Sequence, residues 1–306
     1  MADPRVHPGY RGLADIATIG QVRFADASLA ARQEMNAPDL IMGDWDHDAY
    51  VYGPIEVGGS MSGPVTETFV AGGGGGILEW ACKREGTCGT LQENDVVLYY
   101  YCGGTGVRSR TFEDLQVNSM GFSCAAGDVA NFTLDFMGRY AGAWSTTDPP
   151  HFTTAEKLIT WDKVNVEITA PGDQGAPGDY ATLAYSNFDF TVSNNLEAVY
   201  ALNAGSQGVG EPPDLFPFDV VPGLRTITGT ISVYDTHEFD GADTWDDYEA
   251  ANPSTIRFTL SAGAVGDIIV ETKVRFHRIE PASSVTPIVA TVGFTGVTHQ
   301  TGSPWE

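Results

Sequence analysis

The sequence predicts a mainly β fold: two similar antiparallel β-sandwich or partial-barrel domains, each with one short helix, arising from an internal duplication. Three observations predict it. Runs rich in β-branched and aromatic residues alternate apolar with polar positions along much of the chain. Gly, Pro, Asn and Asp separate these runs, the pattern of antiparallel sheets with one buried face. One frame also occurs twice. GPIEVGGSMS (53–62) and GLRTITGTIS (223–232) share Gly at the first and seventh positions and Ser at the tenth, at an offset of 170 in a chain of 306 residues.

Strands are expected at VVLYYY (96–101), DVANFTLDFM (128–137), NFDFTVS (187–193), RTITGTISVYD (225–235), STIRFTLSA (254–262), DIIVETKVRF (267–276) and IVATVGFTGV (288–297). Gly127-Asp128 and Gly266-Asp267 read as hairpin turns. Helix signals are short. One covers Ile77 to Arg84 and stops at Gly86; the other covers Trp245 to Ala251, with Asp243 or Thr244 as cap and Asn252-Pro253 as end.

The repeat extends beyond the opening frame. At offset 170 Phe69 lies over Phe239, Glu79 over Glu249 and Ala81 over Ala251. VRFADASLAARQEMNA (22–37) matches FDFTVSNNLEAVYALNA (188–204) with one gap, aligning Phe24 with Phe190. GDVANFTLDFMGR (127–139) matches GDIIVETKVRFHR (266–278) at offset 139, so the first copy holds 170 − 139 = 31 extra residues, near 82–110. The expected organisation is an N-terminal extension (1–14), a first β domain (15–170) and a second (171–306), fused around APGDQGAPGDY (170–180). Gly59 should superpose on Gly229, and Gly127 on Gly266.

Forty acids face sixteen bases, a net charge of −24. Such a surface repels nucleic acid phosphates. No apolar run approaches the roughly 18 residues that span a bilayer. The N-terminal stretch has no apolar signal core, so synthesis in the cytoplasm is expected. Cys82, Cys88, Cys102 and Cys124 form no CxxC pair. Buried, unreactive thiols are their expected fate, with a Cys82–Cys88 disulfide or a zinc site as alternatives.

Catalytic and cofactor motifs are not found. The pentaglycine Gly72–Gly76 is followed by Ile77-Leu78 where a phosphate loop needs Lys-Ser/Thr. Asp44, Asp46 and Asp48 alternate, but Ala49 follows where a calcium loop of EF-hand type needs Gly. The six histidines form no metal motif, and there is no GxSxG elbow. The expectation is no enzyme, no cofactor and no metal site. More informative are two long loops with large apolar groups: 37–53, bearing Leu40, Ile41, Met42 and Trp45, and 205–223, bearing Phe216, Phe218, Val220 and Val221. Such loops are lids, binding arms or assembly contacts unless they fold back over their own sandwich.

SNFDFTVSNNLEAVYALNAG…GLRTITGTISVY and STIRFTLSAGAVGDIIVETKVRF resemble the opening strand, Asn-Asn turn, Gly-containing return strand and closing hairpin of the tail tube proteins of long-tailed bacteriophages. The likeness covers most of 15–300. It implies a structural virion protein whose rings stack into a hollow tube, with neighbouring chains completing a lumen barrel through which DNA passes without specific binding. Duplicated members reach a pseudo-sixfold ring with three chains. The partners implied are further copies of the chain and other tail proteins, with no membrane. Rival readings are a tail terminator or capsid decoration protein, a Ca-dependent carbohydrate-binding β-sandwich, and a soluble enzyme.

Overall fold

A computed structural model of the chain describes residues 12–17, 19–36, 51–67, 69, 76–82, 84–85, 90–102, 106–146, 157–169, 180–200, 215–234, 253–261, 267–281 and 289–298. The first half contributes β1 (Gly12–Ile16), β2 (Gly20–Phe24), β3 (Asp26–Ala27), β4 (Ala30–Asn36), β5 (Val51–Pro64), α1 (Gly76–Cys82), β6 (Arg84–Glu85), β7 (Thr90–Leu91), β8 (Asn94–Cys102), β9 (Gly106–Ala125), β10 (Asn131–Gly138) and β11 (Tyr140–Ala141). A 3-10 turn (Trp161–Lys163) precedes β12 (Val164–Thr169), β13 (Tyr180–Thr182), β14 (Tyr185–Ser193), β15 (Leu196–Val199), β16 (Asp219–Pro222), β17 (Thr226–Tyr234), β18 (Ser254–Ser261), β19 (Asp267–Pro281) and β20 (Val289–Thr298).

The mainly β, antiparallel class comes from alternation. On β10, Phe132, Leu134 and Phe136 point into the core while Thr133 and Asp135 face outward. Facing strands add Met61, Phe122, Phe190, Phe258 and Phe294, all buried. The expected first helix is a seven-residue α1, with Ile77, Trp80 and Ala81 turned inward. Trp80 packs on Phe136 with ring centroids 5.2 Å apart, and its Nε1–H donates to the Leu115 carbonyl at 3.3 Å. The expected helix at 245–251 lies outside the described residues. Asp128 N–H donates to the Ala125 carbonyl at 3.0 Å across the turn at Gly127, whose φ of 86° suits glycine.

Two runs of seven strands have the same order. The first is β2-β1-β8-β9-β10-β5-β3, and the second is β13-β12-β18-β19-β20-β17-β14. Numbered by chain position within each run, both read 2-1-5-6-7-4-3. Gly59 on β5 and Gly229 on β17 therefore lie on corresponding strands, opposite Phe136 and Phe294 respectively. Gly266 lies outside the described residues.

The strand order corrects three details of the sequence pattern. By sheet position β10 corresponds to β20, and β9 to β19, so 127–139 and 266–278 are not counterparts. The stretch 82–110 carries β8, which pairs with β1 and β9 inside the sheet network. Residues 12–14, expected in an extension, belong to β1, with Leu13 and Ala14 buried. The halves also interlock: β12, which precedes 171, pairs with β18, and β14 pairs with β9, so hydrogen bonding runs through both halves without a break.

Candidate functional site

The joint between the halves is built from β9, β14 and the turn and ribbon that come after β14. Ser193 lies opposite Ser119, and the ladder continues to Asn187 opposite Ala125. β10 pairs with the other edge of this stretch. β8 pairs with Gly106–Leu115, so β8 and β14 lie end to end along one edge of β9. Past Ser193 the chain turns at Asn194-Asn195, where Asn195 has φ 51°, a left-handed conformation that Asn tolerates.

Asn194 is fully buried and locks this turn to α1. Its Nδ2 donates to the carbonyls of Ala81 (2.7 Å) and Val117 (2.9 Å), and its Oδ1 accepts from Arg225 Nε (2.9 Å). Arg225 Nη2 donates to the Cys82 carbonyl at 2.5 Å. The last carbonyls of a helix have no intrahelical donors. Here the second half supplies them, with a cation at the negative end of the helix dipole.

The β15–β16 ribbon then lies across the first half. Leu196 and Val220 pack with Leu91, and Met137 borders them. Gln116 Nε2 donates to the Val220 carbonyl at 3.1 Å, and Leu196 N–H donates to Asn118 Oδ1 at 2.8 Å. Phe216 sits 5.0 Å from the Tyr140 ring, and Ile55 N–H donates to the Leu215 carbonyl at 2.6 Å.

The four apolar residues proposed for the second loop thus divide. Phe216 and Val220 are 6% and 2% exposed, held against their own chain, so they fold back. Phe218 and Val221 are each 45% exposed, and Leu224 beside them is 86% exposed. Leu40, Ile41, Met42 and Trp45 lie outside the described residues, as do Asp44, Asp46 and Asp48. Asn194, Arg225, Gln116 and Asn118 carry the joint and were not singled out from sequence. The available signal was the Asn-Asn pair closing an alternating strand.

The solvent face of the sheet across both halves is made of small polar residues. One row runs Ser60, Asp135, Ser119, Ser193, Thr226. The next runs Ser62, Thr133, Gly121, Thr191, Thr228, Thr295. A third runs Asn131, Ser123, Asp189, Thr230, Gly293. Hydroxyls tie down the carboxylates: Ser119 Oγ donates to Asp135 Oδ2 at 2.5 Å, and Thr230 Oγ1 donates to Asp189 Oδ2. These rows hold no Lys or Arg. The nearest cations in register are Arg32, opposite Glu56, and Arg275, opposite Thr295.

Cys82 and Cys124 are free, buried thiols, so Cys82 is not joined to Cys88. Burial pushes Cys82 up to about 12, against a smaller pull from Arg225, and Cys124 up to about 11, with Asp128 adding to burial. Both stay protonated at neutral pH and are weak nucleophiles. Because these folded values lie above the ordinary 9.0, unfolded thiols ionise first as pH rises. The thiol contribution to stability is therefore present below about pH 9 and is lost between there and about 12. Iodoacetamide at pH 8 is expected to alkylate Cys82 and Cys124 at least about 100-fold more slowly in the folded chain than in urea. Peptide mass spectrometry reads this, and equal rates would contradict the burial.

Among the described residues no helix is long and apolar enough to cross a membrane. No three His, Cys, Asp or Glu side chains gather there as metal ligands. A search of curated proteins found no match. A family model described as "Phage tail tube protein" matches residues 8–296, which include both seven-strand runs and the joint between them. A match over nearly the whole chain means that this chain belongs to the phage tail tube protein family.

Proposed function

We propose that the chain is a duplicated tube subunit, three copies of which close a pseudo-sixfold ring, and that rings stack into a conduit for DNA. The observation that carries this is the repeated strand order 2-1-5-6-7-4-3 joined head to tail by β14 on β9. It supports an internal duplication, with repeats that run nearer 12–138 and 164–298 than 15–170 and 171–306. A head-to-tail contact between equivalent repeats is heterologous, and heterologous contacts close into rings when the rotation permits. The role is structural and non-enzymatic, in the virion tail, with copies of itself and other tail proteins as partners.

The face of Ser, Thr, Gly and spaced Asp is proposed as the lumen wall. Cations there would bind phosphates and retard passage, whereas carboxylates held flat by neighbouring hydroxyls repel them. Ring stacking is assigned to Phe218 and Val221 on the outer side of the clamped ribbon, together with Leu40, Ile41, Met42 and Trp45 of the other loop. Exposed apolar groups gathered on one rigid ribbon suit a contact with another copy.

Purified protein at rising concentration is expected to form hollow tubes in negative stain. The double variant Phe218→Ser, Val221→Ser should keep the wild-type circular dichroism and melting temperature within about 2 °C. Its assembly threshold should rise at least about tenfold, equivalent to about 1.4 kcal/mol of lost contact. Normal tubes from this variant would remove the stacking assignment, and a lumen lined with Lys and Arg would remove the conduit reading.

A further inference from the structure

Each end of the strand path bears on how one chain meets the next. The second run ends in β14, and β9 of the first run receives it along the edge that continues past β8. The first run ends in β3, the terminal strand of the whole path. The counterpart of β9 is β19, whose Asp267–Val274 stretch pairs with β18 as Gly106–Leu115 of β9 pairs with β8. Beyond β18, the Arg278–Pro281 stretch of β19 pairs with β20 on one side. Among the described residues no strand lies on its other side.

We infer that this edge of β19 receives β3 of a second copy of the chain, in the antiparallel manner in which β9 receives β14. The inference rests on the ring reading and names its joint. The occupant is set by the chain's own construction, because the strand in the corresponding place inside the molecule is the end strand of the other repeat. Backbone N–H and C=O groups along a sheet edge are a template for a further strand. The internal joint gains a lock from Asn194 and Arg225; the first run has Ser28-Leu29 at its comparable bend between β3 and β4. A three-chain ring would hold three internal joints of the locked kind and three external ones carried mainly by strand pairing.

Hydrogen–deuterium exchange of the wild-type chain, unassembled and as tubes, tests this. Peptides spanning 24–28 and 276–281 should exchange at least about tenfold more slowly in tubes than in the unassembled chain. Peptides spanning 119–125 and 187–193 should be slow in both states. Tubes that form without new protection at 24–28 and 276–281 would overturn the joint and leave the tube reading standing. Full protection of those peptides before assembly would also overturn it. A chain that never assembles would overturn the ring reading and this inference together.

Discussion

Asn194→Ala should destabilise the chain by about 3 kcal/mol. The amide has no solvent substitute, because Asn194 is fully buried. Its loss leaves the Ala81 and Val117 carbonyls short of a donor and Arg225 Nε short of an acceptor. Each buried polar group deprived of its partner costs about 1–3 kcal/mol, and the three share one network, so the terms do not simply add. Asn194→Asp separates the contributions. It retains an acceptor for Arg225 but brings a carboxylate toward two carbonyls, so it should be no more stable than the alanine variant. Urea denaturation reads both, and a loss below about 1 kcal/mol for the alanine variant would mean that the lock is not what holds α1 to the second half.

Gly229→Ala should be as damaging, for a different reason. A Cβ there would stand 2.3 Å from Phe294 Cζ and 2.5 Å from the Asp189 carbonyl oxygen. Phe294 is fully buried and cannot swing away, and the carbonyl belongs to the neighbouring strand. Overpacking of this kind typically costs about 1–3 kcal/mol, and contact with backbone puts this case at the upper end. Gly127→Ala is the comparison. Nothing lies within 4 Å of its Cβ position, so only the φ of +86° opposes a side chain, at about 1–2 kcal/mol. If thermal denaturation ranks Gly127→Ala as the worse of the two, close approach of β17 to β20 is not what requires glycine at 229.

Strands whose inward residues keep strict alternation were legible in the sequence. β10, β14, β17 and β18 fall within three residues of their expected limits because Phe132, Leu134 and Phe136, or Phe188, Phe190 and Val192, mark every second position. β9 was not legible as one strand, although it is 20 residues long. Its buried side chains are Phe112, Leu115, Val117, Met120, Phe122 and Cys124, so the period of two slips twice. One slip accompanies the positive φ of Asp114, and the other the register shift opposite Asp135/Phe136.

The joint was legible only in outline. Phe216 and Phe218 look alike in sequence, yet one faces Tyr140 and the other solvent. That difference depends on where the ribbon lies against residues some 75 positions away, which no local pattern encodes. Buried polar groups such as Asn194 are equally hard to foresee. Asn favours turns for local reasons, and its partners on α1 and β9 come from the tertiary fold.

The pairing of β14 with β9 also has a consequence in time. A ribosome delivers Ala125 well before Ser193, and 193 − 125 = 68 residues separate them. At about 5–20 residues per second, the Ser119–Ala125 edge waits roughly 3–14 s for its own partner. The β9–β10 hairpin can close within microseconds, so a nascent chain carries a finished hairpin with one bare edge for nearly all of that interval. On a crowded message, the equivalent strand of a chain on the leading ribosome is already synthesised and chemically identical. Slower translation across 126–193 should therefore favour exchanged dimers over single chains, a trade between speed of synthesis and purity of product written into the order of the strands.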